Sequence, residues 1–286
     1  MGTAPASSEC HERIRIILEG LEGVTQIKDD LVVHGKGQVH NDRLEKVLKR
    51  LMEYGMTLRK ENCQFGVEEV TWFRMVFSKQ GMSPDPEKVE IIKDWPVPED
   101  KAAVKSFLQT CQFSQEFMRP GSKRTYSDVT LPLRRLTAMN VRFNWTAECQ
   151  EAFQELKELI RTSTVAVHWD PDKKTRLYVD HGPEGLRGTV AQDHGKPGEK
   201  PCWRLVHYSS RALTKAEANY GKLDRESLGV ASMIQINKMY LYGTEFEVVT
   251  DHQPLCALYN STHRNLPTRV ARHLSKLGGY DFKLVY

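Results

Sequence analysis

Three acidic residues lie at positions that suit the binding of a divalent metal ion. Asp180 ends a strand-like run at residues 176–180, and Asp251 follows a second such run at residues 246–250. Glu226 lies in a helical pattern between the two runs. The strand–helix–strand order allows a right-handed crossover that places both strands side by side and parallel, with their acidic ends at the ligand-binding edge of the sheet. Three oxygen ligands with few thiols nearby favour Mg²⁺ or Mn²⁺ over zinc.

The helical pattern between the two strands directs Glu226 toward the sheet. Thr214 and Glu217 form a capping box, so the helix is predicted to begin near Lys215. Glu226 shares the packed face, whereas Asp224 points elsewhere. A carboxylate directed at a sheet is costly unless a cation meets it. The packed face consists of residues at helical spacing: Leu223, Ser227, Val230 and Ile234.

Each of the three acids also has an ordinary structural explanation. Asp180 precedes His-Gly-Pro and can form an Asx-type turn. Asp251 can cap a short helix that begins at residues 252–255. Glu226 can lie at the edge of its helix face and be solvated. Taken singly, each acid favours the structural explanation, and only the three together point to a metal site.

The composition is that of a folded, mildly basic protein. The 286 residues are 40% hydrophobic and 27% charged, with a formal net charge of +4. Such values disfavour disorder and are compatible with a polyanionic partner. No apolar run is long enough to span a bilayer, so we expect no membrane partner. The six cysteines form no Cys-x-x-Cys pair, and we expect reduced, mostly buried thiols in an intracellular protein of the cytoplasm or nucleus.

The region around the three acids resembles the ribonuclease H (RNase H) domain of gypsy-type LTR retrotransposon Pol polyproteins. The matching residues are Tyr178, Val179, Asp180, Gly185, Val190, Gln192, the run 208–214, Glu217, Asn219, Tyr220, Glu226, the run 240–243 and the run 249–255. This resemblance implies an α/β fold in which helices flank a mixed sheet. It implies Mg²⁺-dependent hydrolysis of the RNA strand of RNA–DNA hybrids, with two metal ions ~4 Å apart.

The resemblance assigns Asp180, Glu226 and Asp251 to three of the family's four acidic ligands. The fourth acid follows the last strand in the family, and this sequence stops just short of it, at residues 282–286. His181 replaces a small residue beside the first aspartate. Arg187 occupies a position that is usually glycine, which brings charge and bulk next to the ligands. These departures predict a lowered affinity for metal.

Residues 1–78 resemble the later half of a reverse transcriptase palm. A hairpin predicted at residues 24–33 carries Asp29 and Asp30 near its bend, where the family holds the polymerase metals. No Asp precedes Asp29, so the third palm aspartate is missing, and the fingers are absent as well. Phosphoryl transfer depends on positioned metals, so we expect no polymerase activity and interpret both aspartates as relics.

Residues 79–140 resemble the thumb and connecting segment, and residues 141–286 the RNase H-like domain with its C-terminal part cut short. A linker is predicted at residues 120–130, and Thr146 is the predicted N-cap of the helix that enters the last domain. Basic residues in these regions either contact phosphates or are solvated surface charges. Those expected to bind nucleic acid are Lys101, Lys105, Arg119, Arg264, Arg269 and Arg272.

Two functions from different classes follow from the sequence. The first is a Mg²⁺- or Mn²⁺-dependent RNase H that acts on RNA–DNA hybrids, which the three matched acids support. The second is a catalytically inactive relic or a host-adapted nucleic-acid-binding scaffold. The missing palm aspartate, the missing fingers and the early stop favour the second function.

Overall fold

The computed structural model describes residues 4–118, 124–260 and 266–286. The chain divides into two compact units, Met1–Val67 and Glu68–Tyr286. The predicted functional divisions after residues 78 and 140 therefore differ from this structural division, and they remain predictions. Within the described parts of the chain, every helix is too short or too polar to cross a bilayer.

The first unit packs two helices against a two-stranded hairpin. Its elements are α1 (Ala4–Leu18), β1 (Val24–Ile27), β2 (Asp30–Val33) and α2 (Gln38–Glu53). The predicted hairpin is confirmed, because β1 and β2 pair in antiparallel register. Its bend uses Lys28 with a φ of 56°, and Asp29 and Asp30 are exposed there.

The second unit begins with a three-stranded antiparallel sheet. Its strands are β3 (Glu69–Trp72), β4 (Met75–Ser78) and β5 (Gly81–Pro84). A bridge joins Met82 to Ala166, which lies far along the chain. Gly81 permits this close approach, because an added Cβ would lie 2.0 Å from the Ala166 carbonyl oxygen and φ is 138°. Any larger residue at this position would collide with backbone.

A helical layer follows the small sheet. It comprises α3 (Pro86–Lys93), α4 (Lys101–Gln112), α5 (Tyr126–Leu136) and α6 (Ala147–Arg161). The layer packs around buried aromatic side chains, of which Phe107 and Phe153 have ring centroids 4.6 Å apart. The prediction for α6 is confirmed, since Thr146 caps it by accepting a hydrogen bond from Cys149 N.

The linker predicted at residues 120–130 is only partly correct. Residues 119–123 lie outside the described residues, but helix α5 begins at Tyr126, inside the predicted linker. A capping box explains this start. The Thr125 hydroxyl accepts from Asp128 N, and the Asp128 carboxylate accepts from Thr125 N. Polar residues that read as a flexible linker thus satisfy the first amides of a helix.

A mixed five-stranded sheet forms the centre of the second unit. Its strands are β6 (Thr175–His181), β7 (Gly185–Asp193), β8 (Trp203–Ala212), β9 (Glu245–Val249) and β10 (Asp281–Val285). The strand order is β10-β9-β6-β7-β8. β9 is parallel to both β6 and β10, whereas β7 is antiparallel to both its neighbours. This confirms the predicted parallel placement of the two strands that lead to Asp180 and Asp251.

Helix α7 (Lys222–Ile236) crosses one face of this sheet, and three further helices follow it: α8 (Lys238–Leu241), α9 (Gln253–Asn260) and α10 (Thr268–Ser275). The prediction that α7 begins near Lys215 is wrong. The capping box of Thr214 and Glu217 forms, but it caps only a 3-10 turn. Tyr220 then adopts an extended conformation, with φ −70° and ψ 146°, and the helix restarts after it. Local capping therefore located a turn and not the long helix.

The pKa of Glu217 predicts a pH-dependent contribution to stability. Hydrogen bonds from Arg211 lower this pKa from 4.5 to about 2, against the opposing effect of burial. A depressed acid pKa stabilises the folded state above pH 4.5, and this stabilisation is lost as pH falls toward 2. We expect Glu217→Gln to lower the free energy of unfolding by about 1.5–3 kcal/mol at pH 7. Urea denaturation at several pH values should show the difference between the two proteins vanish near pH 2. A difference that persists at pH 2 would contradict this assignment.

The thiols are free but less buried than the sequence suggested. All six cysteines are free thiols that form no disulfide bond. Cys111, Cys149 and Cys256 are buried, whereas Cys10 and Cys202 are exposed. The prediction of reduced thiols agrees with this arrangement, and the prediction that most are buried holds for half of them.

Candidate active site

Alternation along β6 places successive side chains on opposite faces of the sheet. Leu177 and Val179 are buried in the core that includes α7. A Cβ added at Gly229 of α7 would lie 3.2 Å from Val179 Cγ1. Because strand side chains alternate, Asp180 projects from the face opposite α7, while His181 returns to the α7 face.

Asp180 is paired with an arginine across the neighbouring strand. Asp180 and Arg187 are direct partners in the register of β6 and β7. The Arg187 guanidinium donates to Asp180 Oδ2, and it also donates to the Arg124 carbonyl oxygen at 3.1 Å. The other carboxylate oxygen, Oδ1, accepts from the backbone N–H of His181 at 2.7 Å. Both oxygens of Asp180 are therefore engaged by groups of the chain itself.

Glu226 is buried on the α7 side and is paired with a histidine. Only 2% of Glu226 is exposed. His181 Nε2 lies 3.1 Å from Glu226 Oε1, and the Thr250 hydroxyl lies 3.4 Å from Oε2. The hydrogen bond with Glu226 raises the pKa of His181, against the lowering effect of burial. In its protonated form, His181 supplies the counter-charge that a buried carboxylate requires.

Asp251 lies beside Asp180 at the same edge of the sheet. Tyr178 pairs with Val249 in the parallel register of β6 and β9, and two further residues along each strand lead to Asp180 and Asp251. Both acids line a groove of about 1010 Å³ on the face opposite α7. Asp251 is exposed. In the first turn of α9, Leu255 N donates to His252 Nδ1 at 3.1 Å.

The structure thus brings two of the three predicted acids together. Asp180 and Asp251 line the same groove, whereas Glu226 is buried on the α7 side with His181 and does not line it. Among the described residues, no group of three or more His, Cys, Asp or Glu side chains is placed to hold a metal ion. As placed, these residues do not fit the two-metal site that the resemblance implies. Sequence reasoning identified the right edge of the sheet but not the face that each carboxylate takes.

The two acids predicted to be polymerase relics lie in the first unit. Asp29 and Asp30 are exposed on their hairpin in the first unit. They belong to no metal-binding group within the described residues. Their interpretation as relics of a polymerase site remains a prediction.

Some of the basic residues expected to contact phosphates are bound by other groups of the chain. Lys101 donates to the Ala138 carbonyl oxygen at 2.6 Å, so it joins two ends of the helical layer. Arg269 forms an ion pair with Asp224 and lies 4.3 Å from the centre of the Tyr220 ring.

Two of the four remaining basic residues have solvent-exposed side chains. Lys105 and Arg272 are exposed on α4 and α10, respectively. Arg119 and Arg264 lie outside the described residues. A role in binding nucleic acid stays a prediction for all six basic residues.

Sequence reasoning missed the side chains that line the groove beside the acids. Alternate positions of the strands supply aromatic rings and guanidinium groups to one face. Their even spacing along each strand is the signal that could have found them. The residues concerned are Tyr178, Trp203, Tyr208 and Arg187, and the groove is also lined by Arg204, next to Trp203, and by Tyr286, just after β10.

Comparison with known families assigns the central part of the chain. Residues 170–280 match the family described as an RNase H-like domain found in reverse transcriptase. This stretch contains α7 and all the strands of the mixed sheet except the last, β10. The second unit therefore contains an RNase H-like domain of the reverse transcriptase type.

Sequence relatives extend the similarity to most of the chain. The chain is 30% identical over 259 residues to the retrovirus-related Pol polyprotein from transposon 412 of Drosophila melanogaster, covering 90% of this chain and 20% of the polyprotein. It is 25% identical over 261 residues to the transposon Tf2-3 polyprotein of Schizosaccharomyces pombe, covering 90% of this chain and 19% of that protein. The chain is thus related to the Pol polyproteins of LTR retrotransposons, and it spans about a fifth of their length.

Solved structures support the fold. The foamy viral protease-reverse transcriptase in complex with dsDNA matches with a TM-score of 0.80 and 19% identity, covering 100% of this chain and 59% of that chain. The same viral protein in complex with an RNA/DNA hybrid matches with a TM-score of 0.73 and 21% identity, covering 96% of this chain and 37% of that chain. The predicted fold class, a mixed sheet with flanking helices, is confirmed.

Proposed function

We propose that this chain is the palm remnant, thumb, connecting segment and RNase H-like domain of a gypsy-type retrotransposon reverse transcriptase, and that it binds RNA–DNA hybrids. The observation that carries the proposal is the groove on the face of the mixed sheet opposite α7, which ends at Asp180 and Asp251. The location that fits this function is intracellular, in the cytoplasm or nucleus.

The groove has the chemistry needed to hold one strand of a hybrid. Tyr178, Trp203 and Tyr208 line the groove with aromatic rings, the kind of side chain on which bases stack, and the Arg176 guanidinium lies 4.3 Å from the centre of the Trp203 ring. Arg204 is exposed at the groove and can pair with a phosphate. Two solved structures with the same fold are complexes of the foamy viral protein with dsDNA and with an RNA/DNA hybrid. Contacts to 2′-hydroxyls would let such a domain distinguish a hybrid from a DNA duplex.

Hydrolysis of the RNA strand is the second candidate function. The observation that favours it is the placement of Asp180 and Asp251 at the same register of adjacent parallel strands. The family implies Mg²⁺ or Mn²⁺ for this reaction. Because Glu226 lies on the other face and Asp180 is paired with Arg187, no catalytic step follows from the arrangement of these residues.

Fluorescence anisotropy with a labelled RNA–DNA hybrid, in the presence of a chelator, tests the binding function. We expect Arg204→Gln to weaken the binding of the hybrid about five- to tenfold and to reduce the salt dependence of log K by about one phosphate contact. Lys215→Gln is the matched control, because Lys215 is exposed but does not line the groove. If the chain fails to bind the hybrid, or if both variants bind like the unchanged chain, the proposal is wrong.

The same hybrid distinguishes the two functions when metal is supplied. Cleavage in millimolar Mg²⁺ or Mn²⁺ that is lost in Asp180→Asn would establish hydrolysis. Binding without cleavage would establish the binding function alone.

A further inference from the structure

The pairing of Asp180 with Arg187 has a consequence for metal binding. A divalent cation at this edge of the sheet would use the lone pairs of Asp180 and Asp251. One oxygen of Asp180 already accepts from the Arg187 guanidinium, and the other accepts from His181 N. A metal ion would have to displace the guanidinium or lie beside its positive charge. Either alternative opposes metal binding.

Arg187 is held in place from several sides. It is the direct cross-strand partner of Asp180, and it donates to the Arg124 carbonyl oxygen at the start of the segment that leads into α5. Its side chain is only 23% exposed. A partly desolvated ion pair is costly to break, since each partner would be left without its counter-charge. The guanidinium therefore does not yield its place readily.

The other acids cannot compensate for the loss of Asp180. Asp251 alone is a single exposed carboxylate. Glu226 lies on the opposite face and is bound by His181 and Thr250. Metal affinity grows with the number of charged oxygen ligands that converge on one point. Because Asp180 is paired with Arg187, Asp251 is the remaining acid that lines the groove among the residues that the structure describes.

We propose that Arg187 is a built-in counter-ion that excludes divalent metal from the edge formed by Asp180 and Asp251. The groove then presents a guanidinium where the family would present a metal ion. This inference concerns the site of the proposed function, but it is tested without nucleic acid. Hybrid binding in chelator and metal binding by the free chain are separate measurements, so either can fail alone.

Electron paramagnetic resonance titration of the whole chain with Mn²⁺ alone tests the proposal. We expect the unchanged chain to show only binding that Asp180→Asn leaves unaltered. Arg187→Thr and Arg187→Gln should each gain one Mn²⁺ site that binds at least tenfold more tightly than any site of the unchanged chain. Adding Asp180→Asn or Asp251→Asn to either variant should abolish that site. Arg187→Lys keeps the charge and should gain none.

Arg211→Gln is the matched control. Arg211 lies on β8 of the same sheet and forms an ion pair with Glu217 of the following 3-10 turn. Neither residue lines the groove. Its removal frees one carboxylate without a second acid beside it, so no Mn²⁺ site should appear. The use of both Thr and Gln at position 187 guards against a failure of one variant to fold. The proposal is overturned if the unchanged chain binds Mn²⁺ through Asp180, or if a folded Arg187 variant gains no site.

Discussion

Replacing His181 by Ala is expected to lower the free energy of unfolding by about 3 kcal/mol at neutral pH. Glu226 is 2% exposed, and it faces the His181 ring, whose pKa it raises by accepting a hydrogen bond. After the substitution, the Thr250 hydroxyl at 3.4 Å would be the remaining hydrogen-bond partner of Glu226 among the residues that the structure describes. A buried carboxylate without a counter-charge must either remain ionised at high cost or take up a proton. Urea denaturation of the whole chain measures the effect.

Two further variants separate charge pairing from a general effect of histidine removal. The double change His181→Ala with Glu226→Leu should recover most of the lost stability, because it removes the orphaned carboxylate as well. His168→Ala is the matched control. His168 is exposed and bonds to the Ser78 carbonyl oxygen, so we expect a loss below about 1 kcal/mol. Equal losses for His168→Ala and His181→Ala would show that Glu226 does not depend on His181.

Replacing Asp128 by Ala is also expected to cost about 3 kcal/mol, because two amides would lose their acceptor. Its Oδ2 accepts from Thr125 N at 2.6 Å, and its Oδ1 accepts from Glu184 N at 2.9 Å. The carboxylate thus caps α5 and fastens it to the turn between β6 and β7. The approach is so close that a Cβ on Gly182 would lie 2.0 Å from Oδ2.

An ordinary helix cap supplies the comparison for Asp128. Asp100 caps α4 by accepting from Ala103 N at 2.7 Å, but it is exposed. Asp100→Ala should therefore cost about 1 kcal/mol. Denaturation curves of the two variants under one set of conditions measure the difference. Similar losses for both would mean that the bond to the β6–β7 turn contributes nothing beyond capping.

The crossover around the acids could be predicted because its signals are periodic. The two strand-like runs and the helical pattern between them fix a parallel pair with few alternatives, and β6 and β9 are indeed parallel. Thr146 was recognisable for a similar reason, since its hydroxyl serves an amide three residues away. Signals that lie within one turn or one strand survive in the sequence.

Other features depend on contacts between distant residues. The capping box at Thr214 formed, but the extended Tyr220 ended the turn that it began. The face taken by Asp180 depends on the register of β6 against β7 and α7, and a shift of one residue would reverse it. The pairing of His181 with Glu226 likewise joins residues far apart in the chain. Such features are decided by tertiary packing, and one sequence does not display them.

The segment around Ala166 links two parts of the second unit through its backbone. Ala166 exchanges hydrogen bonds with Met82 in the small sheet, at 2.6 and 2.8 Å. Val167 N donates to Leu205 O in the mixed sheet at 2.7 Å. A displacement of the small sheet would therefore pull directly on the β8 side of the groove. Gly81 permits this close contact, so the position of the small sheet is coupled to the position of β8 at the groove.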